Sequence, residues 1–215
     1  MTCCSDDTCS PKTPVSGRYR LVLWTVLVIN TVMFGVELVA GLTAGSVALQ
    51  ADALDFFADA ANYGISLFVL GMALRWRAVA ALIKGASMGL FGLFVTGSVV
   101  WHALNGTVPA WGTMSAIGAL ALIANVACLG LLFAWREGDA NMRSVWICSR
   151  NDVLANMAVV AAAFGVFGSG TGWPDIIVAT IMAGLALQGA WAIIRDARRE
   201  LREVPEENMT PVQAE

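Results

Sequence analysis

The chain has 215 residues, 58% of them hydrophobic and 13% charged, with a formal net charge of -3. Average globular chains are nearer ~45–50% apolar and ~25% charged; here the mean hydropathy is +0.70 and the pI about 5.1. These values exclude a soluble globular domain, a disordered chain and a nucleic-acid binder, and five unevenly placed cysteines do not make a disulfide framework.

Residues 1–20 are polar and contain Cys3, Cys4 and Cys9. They lack the apolar run of a cleavable signal peptide and read as a short cytoplasmic tail. Six apolar segments follow, at about 21–44, 46–74, 85–104, 113–135, 143–168 and 174–194. Each is long enough for the ~20 residues a membrane helix needs. Turn residues mark the joints at Thr43–Ser46, Asn105–Pro109, Glu137–Asn141 and Ser169–Pro174. Residues 195–215 are charged and polar and read as a helical exit followed by a short cytoplasmic tail. The expected organisation is a tail over 1–20, a membrane domain over 21–194 and a second tail over 195–215.

Basic residues set the orientation. Twelve of the 13 lie in the N-terminal tail (Lys12, Arg18, Arg20), the second joint (Arg75, Arg77, Lys84), the fourth joint (Arg136, Arg143) and the C-terminal tail (Arg195, Arg198, Arg199, Arg202). The first, third and fifth joints hold none, and positive charge stays on the cytoplasmic side. The fold expected is all-α and polytopic, with six transmembrane helices and both termini cytoplasmic.

Few charges fall within the spans: Glu37 in the first, Asp52, Asp55 and Asp59 in the second, Arg150 and Asp152 in the fifth, and Asp175 opening the sixth. An ionisable group in hydrocarbon costs roughly 2.5–3.5 kcal/mol on insertion scales and usually marks a substrate pathway. A structural hydrogen-bond cluster is the competing reading, but three acids within eight residues of one helix favour function. Asp52, Asp55 and Asp59 share a helical face. Cys148 and Asp152 repeat the four-residue spacing of Asp55 and Asp59, so two such pairs could close a tetrahedral shell of three carboxylates and one thiolate. From the expected helix starts, Asp55 and Asp59 lie roughly 14 and 20 Å from the outer side, and Cys148 and Asp152 roughly 12 and 18 Å from the inner side. The pairs meet near the middle of a ~30 Å hydrocarbon layer, where alternating-access transporters place their sites.

Asn30, Glu37, Gly41 and Ser46, followed by the run Ala51-Asp52-Ala53-Leu54-Asp55-Phe56-Phe57-Ala58-Asp59, resemble the first two helices of the cation diffusion facilitator family of metal/proton antiporters. Asn125 in the fourth span and Trp173-Pro174-Asp175 at the sixth are also family-like, so the resemblance covers about residues 20–200. It implies export of divalent metal from the cytoplasm against inward protons, through a homodimer with one tetrahedral site per protomer. Asp55 and Asp59 match the helix-two ligands, Asp152 matches a helix-five ligand, and Cys148 stands where the family commonly has His. The family usually has a cytoplasmic metal-binding domain, and residues 195–215 read as too few to form it, so a second departure is expected there. Dimerisation is then expected to use the membrane helices, for which Gly85 and Gly89 allow close approach.

A thiolate favours Zn2+ or Cd2+, whereas carboxylates pull toward harder ions. Zn2+ or Cd2+ is therefore the expected substrate, and no cofactor is expected. If Asn151 coordinates in place of Cys148, a harder ion such as Mn2+, Fe2+ or Co2+ follows. Ligands bind metal in their deprotonated form, so Asp55, Asp59, Cys148 and Asp152 are expected to carry the exchanged protons; His102 lies far from them at the outer end of the third span. Asp52 reads as lining the outer path or capping a hydrogen bond, Glu37 and Asn30 as groups that support the ligands or pack helix one, and Asn151 and Asn156 as flanking amides that offer alternative oxygen ligands. Arg150 is about 160° away from Cys148 and Asp152 on the helical wheel and should face elsewhere. Cys3, Cys4 and Cys9, with Asp6 and Asp7 between them, could capture a soft cation at the cytoplasmic mouth. Cys128 reads as packing. The expected location is a bacterial inner membrane, and the expected partners are metal, protons, lipid and a second copy of the chain. An intramembrane phosphotransferase is disfavoured, because residues 52–64 contain no Arg and a single glycine, Gly64. A membrane metal sensor or accessory protein is the remaining competitor.

Overall fold

The computed structural model describes residues 17–68, 74–135 and 140–203. Six long helices make up almost all of it: α1 (Gly17–Ala44), α2 (Val47–Phe68), α3 (Leu74–Asn105), α4 (Trp111–Leu132), α5 (Ala140–Ser169) and α6 (Trp173–Glu203). A 3₁₀ turn, Phe133–Trp135, extends the end of α4. Among the described residues there is no strand.

The helices bury narrow stripes and leave broad apolar faces outside. In α1 the buried positions Tyr19, Leu23, Val26, Asn30, Met33, Glu37, Ala40 and Ala44 alternate steps of four and three residues. In α4 the buried Met114, Gly118, Ala121, Asn125, Cys128 and Leu132 follow the same rule. That spacing is the seam of a helix packed along one side only. On the other side large apolar residues stand exposed, including Val32, Leu90, Leu104, Ile123 and Phe164. Water would penalise such a surface, whereas lipid accepts it, and a helix satisfies its own backbone there. Five of the six helices are long and apolar enough to cross a membrane. The exception is α2, whose Asp52, Asp55 and Asp59 make it too charged for a lipid-facing span. Its position resolves the difficulty, because α2 packs against α1, α3, α5 and α6.

One end of the bundle is built from three tight joints. Gly45, Gly106 and Gly170 each take a positive φ of 62–66°, which glycine adopts without a Cβ penalty. The Ala110 amide donates to the Ala44 carbonyl at 2.9 Å, tying two of these joints together. Gly172 ties in the third, since a Cβ there would stand 2.2 Å from the Thr107 carbonyl oxygen.

Several helices extend beyond their apolar segments into charged residues. The third is already helical at Leu74, where the apolar segment was expected to start near 85. Arg75, Arg77 and Lys84 therefore sit on the first turns of α3 rather than in a joint, because Ala78, Ala80 and Ala81 favour helix and no proline interrupts them. The sixth helix continues to Glu203, the helical exit expected beyond its apolar segment. Charged ends of membrane helices escape a hydropathy window although the backbone stays helical. Gly85 and Gly89 face α6 of the same protomer: a Cβ on Gly85 would lie 2.8 Å from Ile194, and one on Gly89 3.9 Å from Ala190. That small-residue stripe seats α3 on α6.

Candidate metal-transport site

The acids converge where α2 meets α5. Asp55 and Asp59 are one turn apart on α2, and the Asp152 carboxyl of α5 lies within hydrogen-bonding reach of both. Asp59 and Asp152 are buried, and Asp55 is half-buried. Tyr63, one turn beyond Asp59, donates its hydroxyl to Asp59 Oδ2 at 3.3 Å. Asp152 Oδ2 is buried with no donor among the described residues. Three carboxyls this close repel when ionised and need a cation or protons between them. Among the described residues no group of three or more acids, histidines or cysteines closes a metal cage by itself. Cys148 lies on α5 one turn before Asp152, and its side chain falls outside the described residues.

A second cluster adjoins the first. Glu37 of α1 and Asp52 of α2 are both 0% exposed, and their carboxyls lie within hydrogen-bonding reach of each other. Asn156 of α5, also fully buried, donates its Nδ2 to Asp52 Oδ1 at 3.3 Å and to the Asp152 carbonyl at 3.0 Å. It is the physical link between the clusters. Asn30 does not join them. Its amide donates to the Val26 carbonyl at 2.7 Å and to Cys128 Sγ at 3.7 Å, tying α1 to α4. Cys128 is buried among Tyr19, Leu23, Val26, Tyr63 and Leu132, a packing role. Asn151 is half-buried, and Arg150 is exposed while Asp152 two residues on is buried, as the helical wheel requires. Cys3, Cys4 and Cys9 lie outside the described residues.

Asp175 has a role that sequence reasoning missed. From the first turn of α6 it accepts three hydrogen bonds at the start of α2: Ser46 Oγ at 2.6 Å, Val47 N at 2.8 Å and Ala48 N at 3.1 Å. Ser46 Oγ in turn accepts from Leu49 N at 3.2 Å. The first amides of a helix have no partner within it, and a carboxylate at that end is favoured. Asp175 thus caps α2 from another helix. A serine immediately before the second apolar run was the available signal, but the partner 129 residues on was not legible. At the other end of α2, Lys84 of α3 donates to Asn62. The helix carrying most of the acids is therefore pinned at both ends.

An acid-lined helix is thus enclosed by long apolar helices, the architecture of a polytopic membrane protein. The family model described as the cation efflux transmembrane domain matches residues 23–202. The chain belongs to that family, and its long apolar helices make it an integral membrane protein. It is similar to the zinc transporter ZitB of Pectobacterium atrosepticum, 27% identical over 207 residues, covering 87% of this chain and 62% of the relative. The cadmium, cobalt and zinc/H(+)-K(+) antiporter of Bacillus subtilis is 24% identical over 212 residues, covering 90% of this chain and 67% of the relative. The zinc transporter ZitB of Escherichia coli is 27% identical over 211 residues, covering 90% and 66%. The chain thus spans about two thirds of the length of these curated relatives.

Proposed function

We propose that this protein exports a divalent transition metal, Zn2+ or Cd2+ in preference to harder ions, from the cytoplasm in exchange for protons. One observation carries the reading: Asp152 on α5 faces both Asp55 and Asp59 on α2 in the interior of a cation-efflux bundle. Cys148, one turn from Asp152, supplies the fourth ligand and the softness that favours Zn2+ and Cd2+. Metal enters when these groups are deprotonated and leaves when protons replace it. The relatives named for zinc, and for cadmium, cobalt and zinc, support the same class of ion. The proposed topology has six spans with both termini cytoplasmic. Two protomers associate through their membrane helices, and the N-terminal cysteines deliver soft cations to the mouth.

Metal-dependent proton flux in proteoliposomes tests this reading, with Zn2+, Cd2+, Mn2+, Co2+ and Fe2+ compared in wild type and Asp59→Ala. Zn2+ or Cd2+ flux that the substitution abolishes is the expected result. Flux with Mn2+ or Fe2+ alone removes Cys148 as the selecting ligand and brings Asn151 forward. Folded protein that moves no metal overturns the transporter reading in favour of a sensor or accessory protein.

A further inference from the structure

Glu37 and Asp52 are fully buried, from two different helices. Their carboxyls lie within hydrogen-bonding reach of each other. Yet among the described residues neither oxygen of Glu37, nor Oδ2 of Asp52, has a donor. Asp52 Oδ1 has one, the Asn156 amide at 3.3 Å. Two ionised carboxylates in this position would face each other unscreened. Buried charge is tolerated only when paired or hydrogen-bonded. One proton placed between them supplies the missing donor and removes one charge.

Among the described residues the neighbouring charged groups supply no donor to these oxygens. Asp55, on the same face of α2, is the nearest further acid, and Asp152 is reached through Asn156. On α3, Lys84 is engaged with Asn62, and His102 bonds the Ser98 carbonyl at 2.8 Å. On α6, Asp175 caps α2. α4 carries no acid or base.

We infer that Glu37 and Asp52 share one proton and form a proton site separate from the metal ligands, and that metal entering between α2 and α5 expels it. The second half rests on the proposed transport function. Asn156 is the coupling element, since it holds Asp52 and the Asp152 backbone with the same amide nitrogen. A divalent cation beside Asp55 and Asp152 makes the unprotonated pair the favoured state, because opposite charge stabilises carboxylate. Return of the proton has the reverse effect. The pair thereby adds a counter-proton beyond those displaced from the ligands themselves.

Infrared difference spectroscopy on the full chain in lipid tests the pair without metal. Wild type at neutral pH should show the carbonyl stretch of one protonated carboxyl in excess of any held by Asp55, Asp59 and Asp152, which the Glu37 and Asp52 variants retain as their background. Glu37→Gln and Asp52→Asn should each remove it, and Glu37→Asp should keep it in shifted form. Added Zn2+ should abolish the band in wild type, with about one more proton released per bound ion than in Glu37→Gln. A wild type without this excess overturns the proposal, as does an excess that survives both substitutions. A carboxylate stretch that responds instead to K+ or Na+ assigns an alkali cation to the pair and also overturns it. If wild type binds no Zn2+, the transport reading falls, while the metal-free band still decides the pair.

Discussion

Two groups of buried acids in this molecule have opposite surroundings. At the tight-joint end, Asp175 receives three hydrogen bonds, and all three bind α2 to α6. In the bundle interior, Glu37, Asp52 and Asp152 carry oxygens with no donor among the described residues. Both groups bear the same cost of leaving water. Asp175 recovers it through satisfied bonds, which is a structural use. The interior group leaves it outstanding until a cation or proton arrives, which is the use expected of a transport site. Burial and charge alone do not separate the two kinds of acid; the supply of donors does.

Substitution by amide should break this contrast in opposite directions. The largest effect is expected for Asp152→Asn: metal-driven proton flux in proteoliposomes should fall to background, because the residue bridging Asp55 and Asp59 loses its charge. Asp175→Ala comes next. It strands the Ser46 hydroxyl and two helix amides, and thermal unfolding in detergent should show a loss of about 3 kcal/mol or more. The metal order of whatever protein remains folded should be unchanged. Cys148→Ser should shift selectivity away from Zn2+ and Cd2+ toward Mn2+ or Co2+ by about tenfold, read from competition in the same flux assay. Asp52→Asn should have the smallest effect on stability. Its new amide can donate to Glu37, so the unfolding midpoint should hold or rise by the worth of about one hydrogen bond, ~1 kcal/mol. Its transport should nonetheless slow, a stability gain at functional cost. Flux should also rise as the pH on the metal-loading side rises, since fewer protons then compete for the ligands.

Much of the interior was legible in the sequence because membrane helices obey two strong rules. Apolar length showed the long helices, and helical spacing put Asp52, Asp55 and Asp59 on one face; the packing brings Asp152 of α5 to Asp55 and Asp59. The helix ends were less legible. Arg75, Arg77 and Lys84 read as a joint, since hydropathy records where lipid ends and not where hydrogen bonding stops. The cap from Asp175 to Ser46 could not be read either, because it joins residues 129 apart through a packing that no local pattern encodes. The roles of Asn30 and Asn156 were likewise undivided in the sequence. Only the packing shows that one serves Cys128 and the other joins Asp52 to Asp152.

The most direct test compares Asp152→Asn with Asp175→Asn in one preparation, with Zn2+-driven proton flux and unfolding midpoint measured side by side. Asp152→Asn should lose flux and keep its midpoint, while Asp175→Asn should lower its midpoint and keep the flux of its folded fraction. Undiminished flux in Asp152→Asn would contradict the assignment of the interior acids to transport.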